Sequence, residues 1–253
     1  MDIENFKLEI ETQGYSIVRN VLSEDYIKVA KLELEKAIDQ EIKYHGKTSY
    51  SDFGMVLVCP MYHKIFCELF DIPVLTDCIN SVLGSGSITY AYTSSSMPPN
   101  KTNYSNRIHR DCPRLIPNYI TNLGATILLD DFTEENGATW FLPNSQWTSD
   151  RPDSDYFYEN SSRLIEKAGT VWFFNANLWH AGGNNQSNNW RHALTINMIR
   201  PWMKQRLDLP KMVESEGLSE ISKQKLGFYS QVPISYDEYY APIEKRKYKQ
   251  KIE

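Results

Sequence analysis

Between residues 27 and 42 apolar side chains return every three or four positions. Ile27, Ala30, Leu34, Ala37, Ile38 and Ile42 fall on one stripe, and acidic and basic residues alternate on the opposite face. Ser23 stands just ahead of the stripe, where a helix wants an N-cap. The spacing predicts an amphipathic helix laid over a core, within a stretch, residues 1–45, that reads as mainly helical. A second helical stretch runs from about 61 to 83. Pro73 interrupts it, since proline has no N–H to donate, and Gly84-Ser85-Gly86 closes it.

Beyond residue 86 the period falls to two. Residues 87–93 (SITYAYT), 124–129 (GATILL), 139–142 (TWFL), 170–174 (TVWFF) and 192–199 (HALTINMI) are short runs rich in β-formers. Turn clusters separate them: Met97-Pro98-Pro99-Asn100, Glu134-Glu135-Asn136-Gly137, Pro143-Asn144-Ser145 and residues 181–189. Helices at the front and short strands behind imply a mainly β fold with flanking helices, a sandwich or jelly roll. There is no βαβ rhythm, no G-x-G-x-x-G and no internal repeat, which argues against a Rossmann fold or a solenoid. After Pro201 the chain turns polar. Residues 211–225 are expected to form a helix, Tyr236 to Tyr240 is aromatic and acidic, and 244–251 reads as a solvated basic tail. No shift of composition marks a boundary. One domain over 1–253 is therefore expected: a helical jacket to about 85, a jelly-roll core from about 86 to 202 and a polar extension from about 203.

Composition narrows the class. The 253 residues are 41% hydrophobic and 23% charged, with a net charge of −5, too apolar and too weakly charged for disorder. No apolar run approaches the ~18 residues of a membrane-spanning helix, and the acidic start lacks the layout of a signal peptide. The acidic balance argues against nucleic acid as a partner. Cys59, Cys67, Cys78 and Cys112 form no C-x-x-C pair, so reduced, mostly buried thiols in a cytoplasmic protein are expected. The partner this leaves is a small-molecule substrate, with neither nucleic acid nor membrane, and the oligomeric state stays open.

The chemistry concentrates in a few positions. His109-Arg110-Asp111 sets an imidazole and a carboxylate two residues apart, which an extended chain aims to one side. His180 follows 71 residues later, just after the strand-like 170–174. Two imidazoles and one carboxylate match the facial triad that holds Fe(II) and leaves the opposite positions open. Arg191 comes eleven residues after His180 and opens an alternating run. Arg191, Ala193, Thr195 and Asn197 share a small, polar face, suited to an interior that holds a small anion. His192, Leu194, Ile196 and Met198 share the other, suited to packing under helices, and His192 reads as structural. The same set could instead hold zinc for hydrolysis, which leaves Arg191 without a task, or belong to a non-catalytic binding module.

Taken together, His109-Arg110-Asp111, the segment 130–139 (DDFTEENGAT), Leu142-Pro143-Asn144-Ser145, and Gly169-Thr170-Val171 through His180 to Arg191 resemble the phytanoyl-CoA dioxygenase-like family of Fe(II)/2-oxoglutarate-dependent oxygenases. The likeness runs from about residue 10 to about 205. It implies a double-stranded β-helix core, the cupin-like jelly roll. It implies catalytic metal ligation by His109, Asp111 and His180, with Fe(II), 2-oxoglutarate and O2 as cofactor and cosubstrates. Arg191 would anchor the distal carboxylate of 2-oxoglutarate, with Thr126 beside it. The implied reaction is hydroxylation of a small polar metabolite in natural-product or specialised metabolism, with release of succinate and CO2. Desaturation, cyclisation or demethylation are the alternatives within the same chemistry. Related halogenases lack the carboxylate, so Asp111 disfavours halogenation. The family's Pro-Gly-Ser-His turn is here Pro143-Asn144-Ser145-Gln146, which is expected to alter contacts at the rim of the site. The Asn-rich loop 182–189 reads as turn-forming. Candidate substrate contacts are Tyr90, Tyr92, Arg110, Arg114, Trp140 and Trp179. Arg107, Arg110 and Arg114 hint at a polar or anionic substrate, and no basic cluster is evident for the phosphates of CoA.

Overall fold

The computed structural model describes residues 1–46, 53–112 and 114–246. The first element, α1 (Ile3–Thr12), is capped by the Asp2 carboxylate, which accepts from the N–H groups of Glu4 and Asn5, and it buries Phe6 and Ile10. A strand then breaks the expected helical stretch: β1 (Tyr15–Val18) pairs antiparallel with a later strand at the edge of the main sheet. Gly14 makes the corner at φ +88, and a Cβ there would lie 2.5 Å from the Gln146 side chain. The helix expected from the apolar stripe is α2 (Glu24–His45). Ser23 Oγ accepts from the Tyr26 N–H, Gly46 ends it in the left-handed region, and Ala30, Leu34, Ala37 and Ile38 are its buried residues.

The second helical stretch is two helices, α3 (Lys64–Glu68) and α4 (Pro73–Leu83). Pro73 does not interrupt a helix. It opens one, in the first turn, where its missing N–H has no partner to lose. Strands β2 (Ile88–Ser94), β3 (Asn122–Leu128), β4 (Trp140–Phe141), β5 (Ser162–Arg163), β6 (Val171–Asn175), β7 (His180–Ala181) and β8 (Ala193–Ile199) follow, with α5 (Ser154–Asn160) between β4 and β5. All five runs expected as strands are strands within two residues. Strands β1, β5 and β7 are additions.

The strands form a five-stranded sheet in the order β1-β6-β3-β8-β2 and a short sheet in the order β5-β4-β7. All their pairings are antiparallel. One face of the large sheet packs under the helices: Leu123, Ala125, Ile127, Phe173, Leu194, Ile196 and Met198 join Phe6, Ile10, Leu34 and Leu75 in the largest cluster. The other face meets the short sheet, where Trp172 and Phe174 pack with Phe132, Phe141 and Leu164. The arrangement is the jelly-roll type, mostly antiparallel with flanking helices. Among the described residues the two sheets do not close into a barrel, because the two-residue strands of the short sheet are too brief to carry a continuous ladder around.

The polar C-terminal stretch also folds against the helical layer. The helix expected over 211–225 is split into α6 (Leu209–Met212) and α7 (Glu220–Leu226), with Gly217 between them at φ +74. Ser222 Oγ donates to the Cys67 carbonyl at 2.8 Å, and the Lys225 carbonyl accepts from Thr89 Oγ1 at 2.8 Å, which ties α7 to α3 and β2. A short α8 (Tyr236–Tyr239) follows. The expected basic tail lies outside the described residues from 247 onward. The four cysteines are free and buried. Among the described residues no helix is long and apolar enough to cross a membrane.

Candidate active site

Two backbone hydrogen bonds bring the distant histidines together. The His109 N–H donates to the His180 carbonyl at 2.9 Å, and the His180 N–H donates back at 3.0 Å. This narrow antiparallel pair sets the rings side by side, with centroids 4.2 Å apart. Asp111, two residues further on, points to the same side. Its backbone is held in turn, since the N–H groups of Asp111 and Cys112 both donate to the Ala176 carbonyl at 2.9 Å. One oxygen, Asp111 Oδ1, then lies 3.5 Å from His109 Nε2 and 3.7 Å from His180 Nε2. The three side chains each offer a ligand atom, and these atoms lie within 4.8 Å of one another.

The hydrogen bonds fix the tautomers. His109 Nδ1 is 2.7 Å from the Arg107 carbonyl, and His180 Nδ1 is 2.9 Å from the Leu178 carbonyl. A carbonyl only accepts, so each Nδ1 carries a proton, and in the neutral ring each Nε2 presents a lone pair to the cluster. This is the usual arrangement of metal-ligating histidines, whose second nitrogen is oriented by an outer acceptor. The donor set of two neutral imidazoles and one carboxylate fits a divalent transition metal.

The charges of Asp111 and His180 agree with that reading, while His109, without a metal, is drawn towards its charged form by Asp111. Burial alone would raise the Asp111 carboxyl, but the imidazoles of His109 and His180 and the amide of Asn197 outweigh it and hold the group ionised, below the ordinary carboxylate range. Burial pushes His180 down to about 4, and the neighbouring His109 adds to the shift against the pull of Asp111. Burial also works against the charged form of His109, yet Asp111 and the Arg107 carbonyl win and raise it.

The cluster opens on a cavity of about 70 Å³, and Thr126 and Arg191 line it together with His109, Asp111 and His180. Arg191 is 2% exposed. Its backbone pairs with Met97 in both directions, at 2.8 and 3.1 Å. Its guanidinium lies 4.0 Å from the Phe132 ring centroid and donates to the Gly137 carbonyl at 2.6 Å and to the Ser95 carbonyl at 3.0 Å. Burial pushes it down to about 9, against the attraction of Asp130, so it keeps its charge at neutral pH. Its Nε has no partner among the described residues. A guanidinium has five N–H donors, so three remain for an anion. Thr126 stands directly across from Thr195 on β8, which stands across from Thr93 on β2, and this row of hydroxyls lines the same cavity.

The expected substrate contacts lie elsewhere. Tyr92 belongs to the helix-side cluster, where its hydroxyl donates to the Phe66 carbonyl at 3.0 Å. Tyr90 lines a separate cavity with Arg206 and Leu207. Arg110 stacks 4.8 Å above the Trp179 ring, whose Nε1 donates to the Thr148 carbonyl at 3.1 Å. Trp140 is paired with Arg163 and Tyr158, and Arg114 is exposed. None of the six lines the cavity of the His–Asp–His cluster. Alternation explains the tyrosines: Thr93 on β2 and Ser95 just beyond it line the cavity, and the opposite face of β2 turns Tyr92 to the helical layer and Tyr90 away from the cavity. The residues that do line the cavity and drew no notice in the sequence include Met55, Tyr104, Ser105, Thr139, Trp172 and Phe174.

Three other features find their places. In the departed turn, Asn144 takes the left-handed backbone at φ +63 that a glycine would take. Gln146 reaches away from the cavity, its Nε2 donating to the carbonyls of Glu11 and Thr12 at 3.2 and 3.1 Å. In the Asn-rich loop, Asn185 closes the turn, accepting from the Ser187 N–H at 3.0 Å and donating to the Asn189 carbonyl at 2.8 Å. His192, on the far side of β8, lies 2.9 Å from Ser96 Oγ through Nδ1.

Comparison with known proteins adds to the geometry. A family model described as phytanoyl-CoA dioxygenase (PhyH) matches residues 10–193. An uncharacterised protein of Mycobacterium tuberculosis (strain ATCC 25618 / H37Rv) is 28% identical over 247 residues, which cover 93% of this chain and 90% of that one. Among solved structures, the non-haem α-ketoglutarate-dependent carbocyclase SnoK from nogalamycin biosynthesis matches with a TM-score of 0.62 and 21% identity, over 78% of this chain and 84% of that one. The nickel complex of the non-haem monooxygenase ThoJ matches with a TM-score of 0.64 and 17% identity, over 79% of each chain. Likeness at these identities shows a shared fold.

Proposed function

The chain belongs to the phytanoyl-CoA dioxygenase family of non-haem iron, 2-oxoglutarate-dependent oxygenases, and from that premise we propose that it hydroxylates a small polar metabolite. The observation that carries the proposal is convergence: His109, Asp111, His180, Thr126 and Arg191 come from four separate segments and line one cavity. In this reading the metal is held by Nε2 of His109, Nε2 of His180 and a carboxylate oxygen of Asp111. Iron bound there would activate O2, the oxidant; 2-oxoglutarate would supply two of the four electrons and leave as succinate and CO2, and the substrate would supply the other two.

The chain's own residues bind and orient. Arg191 offers a charged fork to the distal carboxylate of 2-oxoglutarate, and its burial strengthens the pair by excluding water. The Phe132 ring and the Gly137 and Ser95 carbonyls hold the guanidinium in place before the ligand arrives. Thr126 supplies a hydroxyl on the same wall. Thr93, Ser95, Thr139 and Thr195 make much of the lining polar, which supports a polar substrate. A zinc hydrolase would give Arg191 no task. The free, buried thiols suit the same reducing compartment as ferrous iron, and a cytoplasmic location is part of the proposal.

A screen of small polar metabolites for substrate-dependent succinate release tests it, with the product mass read in the same reaction. The proposal expects one oxygen gained per succinate. A product lighter by two hydrogens, or an isomer of the substrate, would replace hydroxylation by desaturation, cyclisation or epimerisation.

A further inference from the structure

We infer that Asn197 is a positioning residue that decides which oxygen of Asp111 meets the metal. The inference rests on the reading of His109, Asp111 and His180 as metal ligands. Asn197 Nδ2 donates to Asp111 Oδ2 at 2.9 Å. The other oxygen, Oδ1, is the one that faces the two imidazoles, at 3.5 and 3.7 Å. The carboxylate therefore divides its oxygens, one to the outer amide and one to the cluster. The amide has no choice of orientation, because an ionised carboxylate only accepts and the amide must present its N–H. Asn197 Oδ1 accordingly faces away, buried and without a partner among the described residues. Leaving that acceptor unmet costs free energy, so the amide's position is not explained by its own satisfaction.

The sheet makes room for this contact. Asn197 sits on β8 between Ala91 on β2 and Gly124 on β3, its cross-strand neighbours on the inner face. These are the two smallest residues, and an amide between them can rise from the sheet to Asp111. The consequence concerns coordination number. A carboxylate free at both oxygens can chelate one ion and take two positions, whereas one whose second oxygen is engaged takes one. Three protein ligands then leave three positions open for ligands from solution. Asn197 thus preserves the open half of the site without touching the metal.

Cobalt(II) added to the metal-free protein tests the inference without turnover. Removing a partner of a ligating residue typically weakens metal binding about 10- to 100-fold. Asn197→Ala is expected to lose that much cobalt affinity and to change the cobalt visible spectrum, as the carboxylate rotates to offer both oxygens. Asn197→Leu matches the shape of asparagine without its donor, fills the space that alanine leaves, and is expected to show the same loss with the metal-free melting temperature preserved. Wild-type affinity and a wild-type spectrum in Asn197→Leu would overturn the inference. If the unaltered protein bound no cobalt at all, the ligand assignment itself would fall instead.

Discussion

Arg191 is charged, buried and only partly engaged, and that combination defines its task. Two of its donors hold the Gly137 and Ser95 carbonyls, its Nε has no partner among the described residues, and the residue lines a cavity shared with His109, Asp111 and His180. Arg191→Lys keeps the charge but not the fork. An ammonium has three donors, and two carbonyls already claim the equivalent of two, so a bidentate grip on a carboxylate is lost. Hydrogen bonds to charged groups are worth about 1.5–3 kcal/mol, and the 2-oxoglutarate Kd should rise about 10- to 100-fold. Anaerobic titration reads this, and iron affinity should stay as it was. An unchanged Kd would place the distal carboxylate on another residue. At this scale much was legible in the chain itself. H-x-D puts two ligands on one side of an extended segment, and alternation puts Arg191, Thr195 and Asn197 on one face. The hydrogen bond from Asn197 to Asp111 was not legible, because it joins residues 86 apart through a fold that local spacing does not describe.

The strands position the cluster through close packing at Gly124. Its φ is ordinary, so the need for glycine here is one of space. A Cβ would stand 2.2 Å from Phe174 Cζ, across the β3–β6 pair. The Phe174 ring in turn meets the His180 ring edge-on, with centroids 5.2 Å apart. Gly124→Ala is therefore expected to push Phe174 towards His180. Overpacking of this kind costs about 1–3 kcal/mol, and the shift should also weaken metal binding. Urea unfolding of the metal-free variant and a metal titration measure the two effects. A variant as stable as the parent, with the same metal affinity, would mean that the ring is free to move aside. Sequence periodicity located the long strands well because β3, β6 and β8 are buried along nearly their whole length and β2 is rich in β-formers. It missed β1, four residues between two helices, and it missed β5 and β7, whose two-residue length carries no period. It also sent Tyr90 and Tyr92 to the substrate. Alternation separates two faces of β2 but does not say which one meets the helices. Volume decides: the helical layer takes the bulky aromatic, and the cavity takes threonine and serine.

The molecule as a whole is built around a division of the large sheet into two faces. Helices α1, α2 and α4 cover one, and the short sheet covers the other. The site lies on the second face, where β7 carries His180 and the bridge to His109 extends the short sheet beside it. Helix α7, in the C-terminal stretch, packs on the helical side and contributes nothing to the lining. The central claim, that this fold holds iron and 2-oxoglutarate together, belongs to this scale because it needs residues from both sheets at once. The most direct measurement is anaerobic addition of Fe(II) and 2-oxoglutarate to the metal-free protein, followed by visible absorption. The account predicts a weak charge-transfer band that needs both additions and is lost in His109→Ala. A band that survives in His109→Ala, or no band at saturating iron and 2-oxoglutarate, would contradict it.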